Sequence, residues 1–214
     1  MKNDGRYDVS TLAQVQFEPG SSEQVLRNQL GIKSPQEMDE IETRALRRVM
    51  VGLVNKFDAT HRFTSTDICE IHRLWLGEIY EWAGEFRRVN VSKGEFPFAA
   101  AARIPGLVAK YDSEVLAQYT PCNLRDRAAV VRALAVTHVE LVLIHPFLDG
   151  NGRVARVISI LMALQAGLPL LDFSSIAGQK KEEYFAAIQA GLGYNYGPME
   201  LQFCEIIERS PVNA

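Results

Sequence analysis

Two apolar runs, ALAVTHVELVLI at 133–144 and VISILMALQAGL at 157–168, are separated by residues that suit neither: His-Pro-Phe-Leu-Asp-Gly-Asn-Gly-Arg-Val-Ala-Arg, 145–156. The minimal reading is that one helix stops, the chain turns, and another helix starts. Asp149-Gly150 and Asn151-Gly152 are also hairpin dipeptides, but a hairpin needs flanking strands, and the residues after Gly152 have helical spacing. A helix–loop–helix accounts for the glycines. It leaves a histidine, an aspartate and two arginines without a purpose.

Those residue types make sense together around a polyphosphate. Glycines at 150 and 152 let a backbone approach a ligand and adopt positive φ, and the N–H groups of a helix start point outward with a favourable dipole. With Asn151 they form a candidate anion nest. Arg153 and Arg156 fall on neighbouring positions of the first turn and offer forked donors to further phosphate oxygens. Cations at a helix start oppose the dipole, so a negative group is expected beside them. Asp149 can hold a magnesium ion bridging phosphate oxygens. His145, at the end of the preceding helix, titrates near neutral pH and can accept a proton from an incoming hydroxyl.

The rest of the chain supplies a mainly α scaffold. At 214 residues with 47% hydrophobic and 23% charged content it can build one substantial core, and a formal net charge of −3 lacks the basic excess of a protein made for nucleic acid. No apolar leader opens it, and no run approaches the ~20 residues of a membrane span, so a cytoplasmic protein is expected. Cys69, Cys122 and Cys204 lack CxxC spacing and read as reduced thiols.

Residues 1–35 read as an arm with a short helix from Ser22 to Leu30, closed by Gly31, and 36–214 as a single catalytic domain. Met38, Ile41, Ala45 and Val49 mark a helix opening at Pro35. Ser65 or Thr66 caps a second, ending near Gly84. FRRVNVSKGEFPF alternates around Lys93-Gly94 and predicts a hairpin. Further helices are expected from Pro105 to Tyr119, Leu124 to Ile144, Arg153 to before Pro169, and over 179–191 and 198–208.

The stretch 145–156 resembles the signature of Fic domain proteins, HPFx(D/E)GNGRxxR, with every specified position matched. IHRLWLGEIYEWAGEFR (71–87) resembles that family's helix before its flap, SKGEFPF (92–98) the flap hairpin, and FEPGSSEQVLRNQLGI (17–32) the N-terminal segment of short bacterial members. The resemblance implies a Fic fold, a compact helical bundle with a small β-hairpin flap over the active-site loop. It implies transfer of AMP from ATP, with Mg2+, to a hydroxyl of a target protein. His145 would then be the base and Asp149 the metal ligand. Gly150, Asn151 and Gly152 would hold the α-phosphate, and Arg153 and Arg156 would neutralise the departing pyrophosphate. Lys93, Gly94, Glu95, Phe96, Pro97 and Phe98 would pair with the target segment as an added strand.

Rival readings are a Doc-like phosphotransferase, disfavoured because Gly152 stands where those members carry lysine, and a non-catalytic nucleotide-binding scaffold, which has no need of His145. A metal hydrolase on His138, His145 and Asp149 lacks a third histidine or HExxH pattern, and His138 reads better as a buried or capping residue. The family's inhibitory motif, (S/T)xxxE(G/N), is absent, since no glutamate is followed by glycine or asparagine. The nearest partial match, Thr66 to Glu70, precedes Ile71. The resemblance therefore implies a toxin restrained in trans by a small antitoxin protein that lends a glutamate. DNA gyrase or topoisomerase IV subunits are the targets implied for short bacterial toxins of this kind, and small GTPases those of secreted relatives.

Overall fold

A computed structural model of the chain describes residues 16–176 and 179–211. The fold is mainly helical with one two-stranded hairpin. Helix α1 (Pro35–Lys56) starts where expected: Ser34 Oγ accepts from Glu37 N at 3.4 Å, and Pro35 occupies the first turn, where its missing N–H costs nothing. Met38, Ala45 and Leu53 are buried on its inner face, with Glu42 among them.

Helix α2 (Ser65–Leu76) differs from expectation at both ends. Thr64, not Ser65 or Thr66, is the cap, because Thr64 and Asp67 bond reciprocally through side chain and backbone. Ser65 instead donates its backbone N–H and its hydroxyl to Asp112, at 2.6 and 2.5 Å. The helix stops at Leu76 rather than near Gly84, and residues 77–84 fold back in turns, drawn in by Gly84 N donating to His72 Nδ1 at 2.8 Å. Ile79 stays in the core although it is no longer helical.

The expected arm helix, Ser22 to Leu30, is not formed. Ser22 and Glu23 both have positive φ, 56° and 59°, which no right-handed helix tolerates, and Phe17 bridges Leu26 instead. Asn28 organises the turn beyond it: its amide donates to the carbonyls of Leu26 and Ile32, and its oxygen accepts from Leu30 N and Ile32 N. Val25 and Leu26 are buried against the helices. Residues 1–15 of the expected arm lie outside the described residues.

Strands β1 (Ser92–Lys93) and β2 (Phe96–Pro97) are antiparallel, pairing Ser92 with Pro97 and Lys93 with Phe96. Gly94 supplies the positive φ, 57°, that a two-residue loop needs. The single helix expected over 105–119 is α3 (Ile104–Lys110), a π turn (Tyr111–Leu116) and α4 (Ala117–Tyr119) in succession. Helix α5 (Arg127–Ile144) begins three residues after Leu124 because Asp126 is the cap, accepting from Ala129 N at 2.9 Å. It is buried nearly all round.

Helix α6 (Asn151–Gln165) and α8 (Gly197–Arg209) both pack against α5. Helix α7 (Gln179–Ala190) bridges α8 and α5, while α2 packs on α6 and α1 on α2. No helix among the described residues is long and apolar enough to cross a membrane. Replacing Thr64 by Ala removes the reciprocal cap of α2 and is expected to cost about 1 kcal/mol in urea unfolding.

Candidate active site

The loop between α5 and α6 runs through the interior, where its backbone must find partners other than water. Helix α5 ends because Pro146 cannot continue it, and His145 caps it in the left-handed conformation, φ 51° and ψ 58°. His145 O accepts from Arg87 Nε at 2.7 Å and Pro146 O from Arg87 N at 2.8 Å. Phe147 is satisfied twice by Asn151, whose Oδ1 takes its N–H and whose Nδ2 donates to its carbonyl, both at 2.8 Å. Asp149 O faces His72 Nε2 at 3.1 Å.

His72 is neutral and oriented. Its Nδ1 accepts from Gly84 N, so Nε2 carries the proton and donates to Asp149 O. Burial pulls its pKa down from 6.5 to about 4. The ring stacks on Phe147 at 4.0 Å.

His145 carries the opposite tautomer. Its Nδ1 lies 3.2 Å from Val142 O, and a carbonyl only accepts, so Nδ1 holds the proton and the lone pair sits on Nε2. The imidazole lies flat on Phe98, centroids 3.7 Å apart and planes 17° from parallel. Phe98 follows β2 directly, so the hairpin sets the tilt of the histidine.

Gly150, at φ 80°, turns the chain into α6, whose first intrahelical bond is Val154 N to Gly150 O at 2.9 Å. The N–H groups of Asn151, Gly152 and Arg153 precede that bond and have no helical acceptor. A Cβ on Gly150 would stand 2.8 Å from the Trp75 ring, whereas one on Gly152 would meet nothing within 4 Å. Gly150 is thus needed for packing as well as for φ. Asn151 contributes backbone only, since both ends of its side chain are committed to Phe147. Asp149 Oδ1 accepts from Gly150 N at 2.7 Å.

The two arginines differ sharply. Arg153 Nη2 lies 2.6 Å from the buried Glu42 carboxylate, and its guanidinium sits 4.6 Å from the Trp75 ring centroid. Glu42 is held in turn by the Tyr80 hydroxyl at 2.7 Å. This is the negative group that two cations at a helix start called for, supplied by α1. Arg156 lies 5.9 Å from the ring centroids of both Phe173 and Tyr184, and its Nε is buried with no hydrogen-bond partner among the described residues.

His145, Asp149, Gly150, Asn151, Gly152, Arg153 and Arg156 all line one cleft of about 580 Å3, together with Lys93, Gly94 and Phe98 of the hairpin. Glu95, Phe96 and Pro97 do not line it. Phe96 packs edge-on against Phe185 of α7 at 5.5 Å, and Lys93 Nζ lies 4.3 Å over the same ring. Among the described residues no three His, Cys, Asp or Glu side chains cluster as a metal site. His138 is buried between Ser159 and Tyr184, which engage both its ring nitrogens.

Four residues that hold the site were given no role from the sequence: Glu42, His72, Arg87 and Tyr184, of which His72 and Arg87 lie within the stretch 71–87 that resembles the family. Arg87 had the most accessible signal, as the residue that ends that stretch (WAGEFR). It is 5% exposed, and its guanidinium donates to Val89 O and Ala99 O at 2.6 and 2.5 Å, joining both feet of the hairpin to His145 O. Desolvation lowers its pKa to about 10.

Residues 62–163 match the Fic/DOC family. The chain is 26% identical over 190 residues to the probable protein adenylyltransferase Fic of Escherichia coli (strain K12), covering 87% of this chain and 89% of that one. It is 28% identical over 174 residues to protein adenylyltransferase VbhT of Bartonella schoenbuchensis, covering 79% of this chain and 34% of the relative. With protein adenylyltransferase fic-1 of Caenorhabditis briggsae it shares 32% over 169 residues, 75% of this chain and 31% of the relative. It therefore spans about a third of the length of those last two. In fold it is similar to the BepC protein of Bartonella tribocorum, solved with bound AMPPNP, at TM-score 0.71 and 23% identity over 89% of this chain and 94% of that one.

Two outcomes test this arrangement. Gly150→Ala forces positive φ on a residue with a Cβ and drives that Cβ into Trp75, so the melting temperature should fall by several degrees while Gly152→Ala changes it little. The neutral imidazoles of His72 and His138, at about 4 and about 3 against an ordinary 6.5, take protons in the unfolded chain before the folded one. Stability should be full above pH 6.5 and decline from there towards pH 4 in urea titrations, with a weaker decline in His72→Gln.

Proposed function

The chain belongs to the Fic/DOC family, and from that membership and the cleft's chemistry we propose that it transfers AMP from ATP to a side-chain hydroxyl of a target protein. The observation that carries the reading is convergence. His145, Asp149 and the residues that open α6 line one cleft, which supports a site large enough for a nucleotide.

In this mechanism His145 Nε2 takes the proton of the target hydroxyl as its oxygen attacks the α-phosphorus. The new bond is hydroxyl oxygen to α-phosphorus. The bond that breaks joins the α-phosphorus to the oxygen bridging to the β-phosphate, and pyrophosphate leaves. The N–H groups at Asn151, Gly152 and Arg153 hold the α-phosphate oxygens, where they stabilise charge as it develops. Arg156 supplies cationic charge for the outgoing pyrophosphate. Arg153, already paired with Glu42, offers its remaining donors at fixed geometry. Asp149 fits a magnesium ion, since that ion is commonly held by one carboxylate together with substrate phosphates and waters, and bound there it would offset the phosphate charge.

The target segment lies along the hairpin, whose Phe98 carries the histidine ring. Candidate targets are a DNA gyrase or topoisomerase IV subunit in the cytoplasm. Among the described residues no carboxylate pairs with Arg156. A small antitoxin placing a glutamate on Arg156 fits that arrangement, and the pair would be strong only once desolvated beneath the docked partner.

Incubation of the protein with ATP and bacterial lysate should yield AMP adducts by mass spectrometry. A phosphate adduct, or none, would overturn the reading. In His145→Ala the rate should fall ~10²- to 10⁴-fold with ATP affinity retained, because a base is lost and no phosphate contact.

A further inference from the structure

Each strand of the hairpin is two residues long, and the pairs are Ser92 with Pro97 and Lys93 with Phe96. A two-stranded ribbon of that size is marginally stable at best on its own in water, so its position has to be set from outside. Arg87 fixes its feet, through Val89 O and Ala99 O. Its tip is gripped by Phe185 of α7: Lys93 Nζ stands 4.3 Å over that ring, and Phe96 meets it edge-on at 5.5 Å and 83°. Lys93 and Phe96 are cross-strand partners, so their side chains leave the same face of the hairpin and close on one ring.

The ring contacts continue inward. Phe96 and Phe98 are two residues apart, and their rings meet edge-to-face at 5.4 Å and 82°. Phe98 N donates to Val91 O at 3.1 Å, which extends the pairing one residue past each strand. Phe98 in turn lies flat on the His145 imidazole. An unbroken run of four rings, Phe185, Phe96, Phe98 and His145, leads from α7 to the histidine. The bond to Val142 O holds one edge of that imidazole, about which it could still rock, and the Phe98 face stops the rocking.

We propose that Phe185 is a positioning residue for the base: carried by α7, it sets the hairpin tip and, through Phe96 and Phe98, the plane in which His145 presents Nε2 to the target hydroxyl. The inference rests on the reading above, in that His145 is the base. Helix α7 docks on the core through the buried Tyr184, Ala187 and Ile188, whereas Phe185 is only half-buried, so its replacement leaves that docking in place.

Proton NMR, calorimetry of ATP binding and AMP transfer to bacterial lysate proteins test it on the wild type, Phe185→Leu and Phe185→Tyr. The ring current of a stacked face moves the His145 ring protons upfield, and His145→Ala identifies those resonances by their loss. Leucine keeps apolar bulk without a ring, and tyrosine keeps the ring. Phe185→Leu should return the His145 resonances downfield and slow transfer ~10- to 100-fold with ATP affinity changed less than about twofold, because lost alignment acts on the rate and not on phosphate binding. Phe185→Tyr should restore both. If the resonances or the rate in Phe185→Leu stay as in the wild type, the histidine is held without α7 and the proposal is overturned. It is equally overturned if ATP affinity falls as far as the rate, which makes Phe185 a nucleotide contact. If the wild type forms no AMP adducts while the resonances move as expected, the transfer reading fails and the ring run still positions His145. Phe96→Leu, on a ring that does not line the cleft, should move the same resonances and serves if Phe185→Leu does not fold.

Discussion

Everything at the cleft depends on burying a polar loop. Between α5 and α6 the backbone crosses the core with no ladder or helix to absorb its N–H and C=O groups, and each left unmatched would cost about 1–3 kcal/mol. Arg87, Asn151 and His72 absorb them, and each comes from a different part of the chain. The loop is therefore held by side chains rather than by its own conformation. Its reactive groups inherit the rigidity of the helices that carry those side chains. A neutral histidine and a guanidinium suit this task because their N–H donors meet carbonyl oxygens that the interior would otherwise leave unmatched.

The charges around the cleft are graded by burial and pairing. Arg153 is compensated by Glu42 and braced by Trp75, which makes it a fixed wall. Breaking such a pair costs more than the pair itself contributes, because the remaining charge is stranded. Arg156 rests on aromatic faces. In the proposed reaction a polyphosphate would meet one cation whose partner lies within the protein and another whose strongest partner would be the ligand. This asymmetry lies across a single helical turn, in two residues of the same type.

What could be read directly from the chain was local. The loop residues from His145 to Arg156 share one turn and one helix start, so their convergence follows from spacing alone, and helices with a capping residue and a regular apolar stripe lie close to their expected ranges. The arm helix does not form because Val25 and Leu26 mimic a helical stripe while Ser22 and Glu23 adopt left-handed conformations that propensity does not reveal. Helix α2 is shorter than its pattern because Ile79 and Trp82 continue the apolar stripe, yet Gly84 is tied back to His72 by a bond between residues that spacing does not relate. Glu42 looked like one acid among several on α1. Only the approach of Arg153, from more than a hundred residues downstream, distinguishes it.

The order in which the cleft's parts occur along the chain has a consequence for biosynthesis. Every residue of the loop motif has been polymerised by Arg156, but the wall carrying Tyr184 and Phe185 comes from α7. His138 reaches its hydroxyl partner only across 46 residues. A chain synthesised only as far as the motif would carry the proposed reactive groups and lack that wall. In the proposed reading, an enclosed site waits on the docking of α7.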